Sequence, residues 1–247
     1  MSIKVEFAVD MTCQSCVDDI GQILSSTAGV TAYDISLADK TVLVSGTASP
    51  TQLLNAFKDS GRSAVVRGAG STNGNIGAAV CIFEEGRRLT DRTKGLARFV
   101  QVSDSLCFVD ITVSGIPDGD HGVAIHAAGD LSNVPESCGP HWNPDNKEHG
   151  GRDAGHRGDL GNITVKDGWG DLTFETDRFK VWEIIGRSMV IAEGRDDLKS
   201  EGSSGRGILA GVVARSAGLF ENDKQVCACS GNTLWTEQRL VDEGRRL

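Results

Sequence analysis

Two pairs of cysteines stand near opposite ends of the 247-residue chain: Cys13 and Cys16 in Met11-Thr-Cys-Gln-Ser-Cys16, and Cys227 and Cys229 in Cys-Ala-Cys. Thiolates are the side chains that prefer Cu(I), and two of them on one turn can hold such an ion and still release it. The first pair lies in a loop that leads into a helical pattern. There the unpaired N–H groups and the positive end of the helix dipole favour the thiolate form. Three-residue spacing lets both sulfurs face one ion. A Cys-x-x-Cys redox pair is the competing reading, but such motifs carry aromatic and proline neighbours where this one has Met-Thr and Gln-Ser. The second pair cannot bridge to itself without strain, and its sulfurs are placed to attack another disulfide or to share a thiophilic ion.

A third set of chemical side chains lies in the middle: Gly139-Pro-His141-Trp-Asn-Pro144, Lys147-Glu-His149-Gly-Gly151 and His156-Arg-Gly-Asp159. Three of the chain's five histidines and an aspartate fall within this short stretch, a donor set for tetrahedral Zn(II). Closing on zinc would order a segment, about 130 to 162, that has no strand or helix pattern of its own.

Composition narrows the function classes. A formal charge of -9 offers no basic stripe for nucleic acid and no attraction to an anionic membrane surface. The amino terminus enters strand alternation at once (Ile3, Val5, Phe7, Val9) without a leader pattern, so stable membrane insertion is not expected and a cytoplasmic location is. Seven cysteines, four of them in pairs too close to staple a fold, fit a reducing compartment where thiols do chemistry.

The elements that must position these groups read as follows. Residues 3 to 67 run strand, helix, strand, strand, helix, strand, with Val17, Ile20, Ile23 and Leu24 on one helix and Ser49-Pro50 opening the other. This is a βαββαβ, ferredoxin-like α+β plan over 1–68. Small polar residues over 69–75 read as a flexible linker. From 76 to 219 strands separated by Gly, Asp and Asn turns (Ala79–Phe83, Leu96–Val102, Cys107–Val113, Val123–Ala127, Ile163–Val165, Leu172–Glu175, Val181–Ala192, Ile208–Val213) imply an all-β sandwich or barrel. Cys81 and Cys107 fall inside strands as packing residues. Residues 220–247 read as a short, polar, mobile tail carrying Cys227 and Cys229.

Two resemblances sharpen this reading. The Met11 to Cys16 motif within its βαββαβ pattern resembles the heavy-metal-associated domain of copper chaperones and pumps, which implies one Cu(I) on Cys13 and Cys16, with Met11 packed beneath the loop. The histidine-rich segment, Ile185-Gly-Arg-Ser188 and Gly211-Val-Val-Ala resemble copper,zinc superoxide dismutase over most of 76 to 216. That implies an eight-stranded Greek-key barrel, zinc ligands His141, His149, His156 and Asp159, and Asp196 as the carboxylate that orients the metal-bound histidines. The departures are informative. Dismutases hold redox-active copper on four histidines, but Ala124-Ile-His126 and Val190-Ile-Ala192-Glu put alanine at two of those positions, leaving His126 and His141. The strand position of the dismutase disulfide is Ala210, with Cys138 nearer to His141 than the family's loop cysteine.

With Cys227-Ala-Cys229 and its flanks, all three parts resemble, in order, the copper chaperones for superoxide dismutase. That resemblance implies delivery of Cu(I) to cytosolic copper,zinc superoxide dismutase and promotion of its intramolecular disulfide. The barrel would form a homodimer, or a heterodimer with the target, through one self-complementary patch. Cys227 and Cys229 would carry thiol-disulfide exchange and a Cu(I) relay. Two alternatives stay open: a thiol-disulfide oxidoreductase that copper only regulates, and an active dismutase with a regulatory metal domain.

Overall fold

The computed structural model describes residues 2–71, 74–84, 93–222, 224, 232–236 and 239. The chain divides into two compact units, Met1–Ile76 with Ala217–Leu247, and Gly77–Ser216. In the first, β1 (Ile3–Val9), α1 (Gln14–Ser26), β2 (Val30–Ser36), β3 (Thr41–Gly46), α2 (Pro50–Asp59) and β4 (Ala64–Ser71) build the expected ferredoxin-like arrangement, with sheet order β2-β3-β1-β4. Period-two alternation puts Ile3, Val5, Phe7 and Val9 on one face of β1, all fully buried. Phe7 meets Phe57 of α2 edge-on at 5.4 Å. From α1, Cys16, Ile20 and Leu24 enter this core, spaced four apart on one helical stripe. Ser49 caps α2, its side chain accepting from the Gln52 N–H at 3.0 Å, with Pro50 behind it at the first helical position; such a cap contributes about 1 kcal/mol.

The linker expected over 69–75 begins later than its composition implies. Ala69, Gly70 and Ser71 are strand residues, paired with Val5, Lys4 and Ile3. Glycine serves close approach here, not freedom: a Cβ on Gly68 would collide with the Gly218 carbonyl, and one on Gly70 would lie 3.1 Å from Leu219. Residues 217–219, read from sequence as the end of the barrel, thus pack within the first unit. The expected mobile tail likewise starts with an anchored stretch to Asn222. Cys227 and Cys229 lie outside the described residues. Among the described residues no helix is long and apolar enough to cross a membrane.

In the second unit, β5 (Ala78–Glu84), β6 (Thr93–Gln101), β7 (Cys107–Ser114), β8 (Gly119–Ile125), β9 (Asp159–Lys166), β10 (Trp169–Thr176), β11 (Ser188–Ala192) and β12 (Gly207–Arg215) close a barrel in the order β10-β7-β6-β5-β12-β11-β8-β9. Alternate residues fill it, among them Phe83, Phe99, Val109, Ile111, Ile125, Ile163 and Ile191. Cys81 and Cys107 are fully buried as expected; burial pushes the Cys81 thiol up to about 12 and raises that of Cys107 as well, so neither supplies a thiolate. The continuous strand expected over Val181–Ala192 is instead a helical turn, α3 (Val181–Ile184), followed by β11. The Lys180 N–H donates to Glu183 Oε2 at 2.8 Å and the Val181 N–H to Gln101 Oε1 at 2.8 Å, a local capping arrangement that outcompetes the apolar run's strand propensity.

Gly211 shares the inward parity of Leu209 and Val213, while Val212 faces out beside the exposed Ile82 of β5. A Cβ on Gly211 would collide with the Ile82 carbonyl and sit 2.7 Å from Cys81 Sγ. We expect Gly211→Val to destabilise the barrel by about 2 kcal/mol or more, through overpacking against backbone. Thermal denaturation checks this; an unchanged melting temperature would contradict the inward placement.

Candidate metal centres

Cys13 occupies the position just before α1, its backbone extended (φ -156°, ψ 171°), and its carbonyl accepts from the Cys16 N–H at 3.1 Å. That turn puts the two Sγ atoms 3.6 Å apart, with Cys13 exposed and Cys16 buried. Metal–sulfur bonds of about 2.3 Å can reach one ion from both sulfurs at this separation. Met11, 1% exposed, packs beneath the loop as expected. The Cys16 thiol is pushed down to about 6 by donors that favour its anion: the Thr12 backbone N–H first, then the Arg62 side chain, the Thr12 hydroxyl and the Cys13 thiol. Burial opposes this and loses. Arg62 lies in the turn between α2 and β4, held by an ion pair with Asp19 of α1. Sequence reading missed it, because only the fold brings a residue so far along the chain beside the cysteine pair. Its signal is a lone cation just after the glycine that ends α2.

The second centre forms where the long segment between β8 and β9 folds back on the barrel wall. The Trp142 N–H donates to the Ile125 carbonyl, Gly158 N–H to Trp142, and Ile125 N–H to Gly158, each at 2.8 Å. These bonds bring His141, His149, His156 and Asp159 together, with one potential ligand atom from each within 4.8 Å of the others. Asp159 is the hub. Its Oδ1 lies 2.7 Å from His141 Nδ1 and its Oδ2 3.1 Å from His149 Nδ1, and Oδ2 accepts from the Gly150 and His156 N–H groups at 3.0 and 2.8 Å. A Cβ on Gly155 would collide with that same Oδ2, so the loop closes only with glycine there.

Nδ1 of His149 and Nδ1 of His156 are buried with Asp159 oxygens 3.1 and 3.4 Å away, yet neither approach has the angles of a hydrogen bond. Leaving such an atom unsatisfied costs about 1–3 kcal/mol, which a cation at the centre would relieve. Three imidazole nitrogens and one carboxylate oxygen fit tetrahedral Zn(II). His149 Nε2 lies 2.9 Å from Asp196 Oδ1. Asp196 is fixed in turn: Leu198 N–H donates to the same oxygen at 2.8 Å, and Asn162 brackets its backbone. Burial would pull the His149 pKa down, but Asp196 and Asp159 outweigh it and hold it above the ordinary value. Glu201, which sequence reading missed, accepts from the His141 N–H at 2.9 Å.

Beside this centre opens a cavity of about 430 Å³ lined by His126, His141, Ala124 and Ala192. The two imidazole rings stand 4.9 Å apart, and His126 Nδ1 is engaged by the Gly139 carbonyl at 2.7 Å. Methyl groups from Ala124 and Ala192 offer no donor atoms, so no four-nitrogen set assembles here. The fifth histidine, His121, is buried elsewhere, its ring nitrogens 2.9 and 2.8 Å from the Ala192 and Pro117 carbonyls. Cys138 is a free, buried thiol beside Asp130 O at 3.3 Å, packed with Val190 and Ala210.

Two outcomes follow from this geometry. Adding Zn(II) to metal-free protein should raise its melting temperature, by about 2.7 kcal/mol of stability at a hundredfold excess over the dissociation constant. His149→Ala should remove the response, and calorimetry showing the same shift in the variant would contradict the donor set. For the cysteine pair, a ¹³Cβ NMR titration of the copper-free protein should give Cys16 a midpoint near 6, with the thiolate present above that pH and lost below it. Arg62→Ala should move the midpoint up. A wild-type midpoint at the ordinary ~8.5 would contradict the placement of these donors.

Comparison with known proteins places a different family on each unit. Residues 6–63 match the heavy-metal-associated domain, and residues 93–213 match copper/zinc superoxide dismutase. The mouse protein named Copper chaperone for superoxide dismutase is 43% identical over 257 residues, spanning 98% of this chain and 92% of its own length. The human protein of the same name is 43% identical over 256 residues, with the same coverage. The Superoxide dismutase 1 copper chaperone of Saccharomyces cerevisiae is 35% identical over 244 residues, covering 96% of this chain and 94% of its own. The chain therefore belongs to the family of copper chaperones for superoxide dismutase.

Proposed function

We propose that this chain is a copper metallochaperone that delivers Cu(I) to cytosolic copper,zinc superoxide dismutase and promotes formation of its intramolecular disulfide. The observation that carries the proposal is the Cys13–Cys16 pair, 3.6 Å apart at a helix start with one partner exposed. A thiolate pair open on one side can pass its ion by ligand exchange: an incoming thiolate binds before the outgoing one leaves. Cu(I) is cargo here, and its oxidation state does not change during transfer.

Zn(II), held by His141, His149, His156 and Asp159 with Asp196 orienting His149, is the resident metal. When bound it supplies charge compensation and no redox chemistry. The residues themselves shape the barrel's long loop, and the alanines at 124 and 192 leave the adjoining cavity without a dismutase copper site. Superoxide turnover is therefore not expected of this chain. The outward-facing Ile82 and Val212, on neighbouring strands and 48% and 37% exposed, support docking of the barrel on a second barrel, whether another copy or the target. Mixing the chain with copper-free, disulfide-free dismutase and following sedimentation tests this: a heterodimer at micromolar concentration is expected, and two non-interacting species would contradict it.

For the disulfide step, the pair Cys227 and Cys229 enters oxidised. A target thiolate attacks one tail sulfur and the tail's S–S bond breaks, forming a mixed disulfide; the second target thiolate then displaces the tail. The target dithiol loses two electrons, the tail gains two, and an acceptor of the dioxygen class re-oxidises it. Cys227→Ser or Cys229→Ser should abolish target activation while Cys13 and Cys16 still load copper, and the unaltered chain should accumulate a covalent complex with a target whose second cysteine has been replaced by serine. Mass spectrometry of that complex showing linkage through Cys13 or Cys16, or full activation by the double serine variant, would contradict the tail's role.

A further inference from the structure

Residues 193–206 join β11 to β12 and are fastened to two ligands of the zinc centre. The Glu193 N–H donates to the Arg206 carbonyl at 2.8 Å and the Gly194 N–H to the Ser204 carbonyl at 2.9 Å, a short stem that closes the loop at its base. Beyond the stem, two carboxylates reach the histidine-bearing segment. Asp196 Oδ1 lies 2.9 Å from His149 Nε2, and Glu201 Oε1 accepts from the His141 N–H at 2.9 Å. Asp196 is held besides by Asn162 of β9, whose side chain pairs with its N–H and its carbonyl. Glu201 has no such support. Among the described residues, its bond to His141 is the one hydrogen bond that ties residues 197–205 to anything outside the loop. Gly202, at φ +84°, turns the backbone directly after it.

The loop is also a wall. Glu201, Gly202, Ser204 and Gly205 line the cavity beside the zinc centre, together with His126, which is 7% exposed. Nδ1 of His126 lies 2.7 Å from the Gly139 carbonyl, so that nitrogen carries the proton and the lone pair is on Nε2. Among the described residues Nε2 has no hydrogen-bond partner. An imidazole lone pair on a cavity wall is a ligand for copper as well as for zinc. In a chain that carries Cu(I), such a nitrogen competes for the cargo unless something keeps it out of reach.

We propose that Glu201 is a positioning residue of the zinc centre, a clasp that holds the 193–206 loop shut over His126 when Zn(II) is bound. The proposal rests on the zinc donor set and adds to it a consequence for the neighbouring cavity. Zn(II) on His141, His149, His156 and Asp159 fixes His141 and His149 relative to each other, and with them both points to which the loop's carboxylates bind. Two bonds to one rigid frame reinforce each other, because a loop ordered for the first has little left to order for the second. Without zinc the two anchors move independently. The bond of the exposed Glu201, which competes with water, is then the one that opens. A shut loop withholds His126 from metal ions in solution, so the barrel does not compete with Cys13 and Cys16 for Cu(I).

Carbethoxylation of His126 by diethyl pyrocarbonate, followed on the full chain by peptide mass, reads the state of the loop. Calorimetry on the same samples reads zinc binding separately, so absence of binding, which would overturn the donor set itself, is told apart from an open loop. His126 should react about tenfold more slowly with Zn(II) in excess than without it, the weight of one hydrogen bond to a charged acceptor. Zinc-bound Glu201→Ala should react at about the zinc-free rate. Glu201→Gln, whose amide oxygen still accepts from the His141 N–H, should stay slow, which a general loosening of the loop by substitution would not produce. Equal rates with and without bound zinc, or a zinc-bound Glu201→Ala chain as slow as the wild type, would overturn the clasp. So would a Glu201→Gln chain as fast as Glu201→Ala, since the hydrogen bond is then not what holds the loop.

Discussion

The structure turns on how to keep a negatively charged sulfur in a fold that must also let go of what the sulfur binds. Burying a thiolate deeply disfavours the charged form, as Cys81 and Cys107 illustrate inside the barrel. Leaving it in water removes any reason for it to ionise near neutrality. Cys16 sits between these limits, covered by the helix start but within reach of the Thr12 N–H, the Thr12 hydroxyl and Arg62. Cys13 remains at the surface, where another ligand can approach. The rest of the amino-terminal unit holds that turn still: β1 delivers the loop, Met11 packs beneath it, and α2 ends where Arg62 can turn toward Cys16.

The barrel applies the opposite logic to its own metal centre. His141, His149, His156 and Asp159 come from a long irregular segment, but every one is fastened, through Asp159's backbone partners, through Asp196 or through Glu201. Such a set suits the retention proposed for it. Next to it, Ala124 and Ala192 line a cavity shared with His126 and His141, and their methyl groups add no donor atom to it. One unit thus presents an exposed sulfur donor and the other a fastened set of nitrogen and carboxylate donors, which is what the proposed roles of exchange and retention require.

Much of this was legible in the chain. Strict alternation in β1 and in the barrel strands, the Ser49-Pro50 helix start and the histidine spacing each carry a local physical signature that survives folding. What escaped detection is what only tertiary contact creates. Gly68 and Gly70 read as linker because composition does not distinguish a glycine needed for freedom from one needed for close approach, and the crossing segment at Gly218 and Leu219 lies far along the sequence. Val181–Ile184 read as strand because its apolar run gives no hint that Gln101 would cap it. Arg62 and Glu201 are single charges in polar turns, unremarkable until the fold sets one beside Cys16 and the other against the His141 backbone.

The most direct measurement of the central claim is transfer under competition. The chain is loaded with one Cu(I), mixed with copper-free, zinc-loaded dismutase in the presence of a chelator that strips free Cu(I), and superoxide turnover is followed. The account predicts that turnover appears with the wild-type chain, and that the Cys13→Ser/Cys16→Ser chain given the same copper and chelator leaves the dismutase inactive. Equal turnover from both chains, or none from either while the chelator takes all the copper, would contradict it.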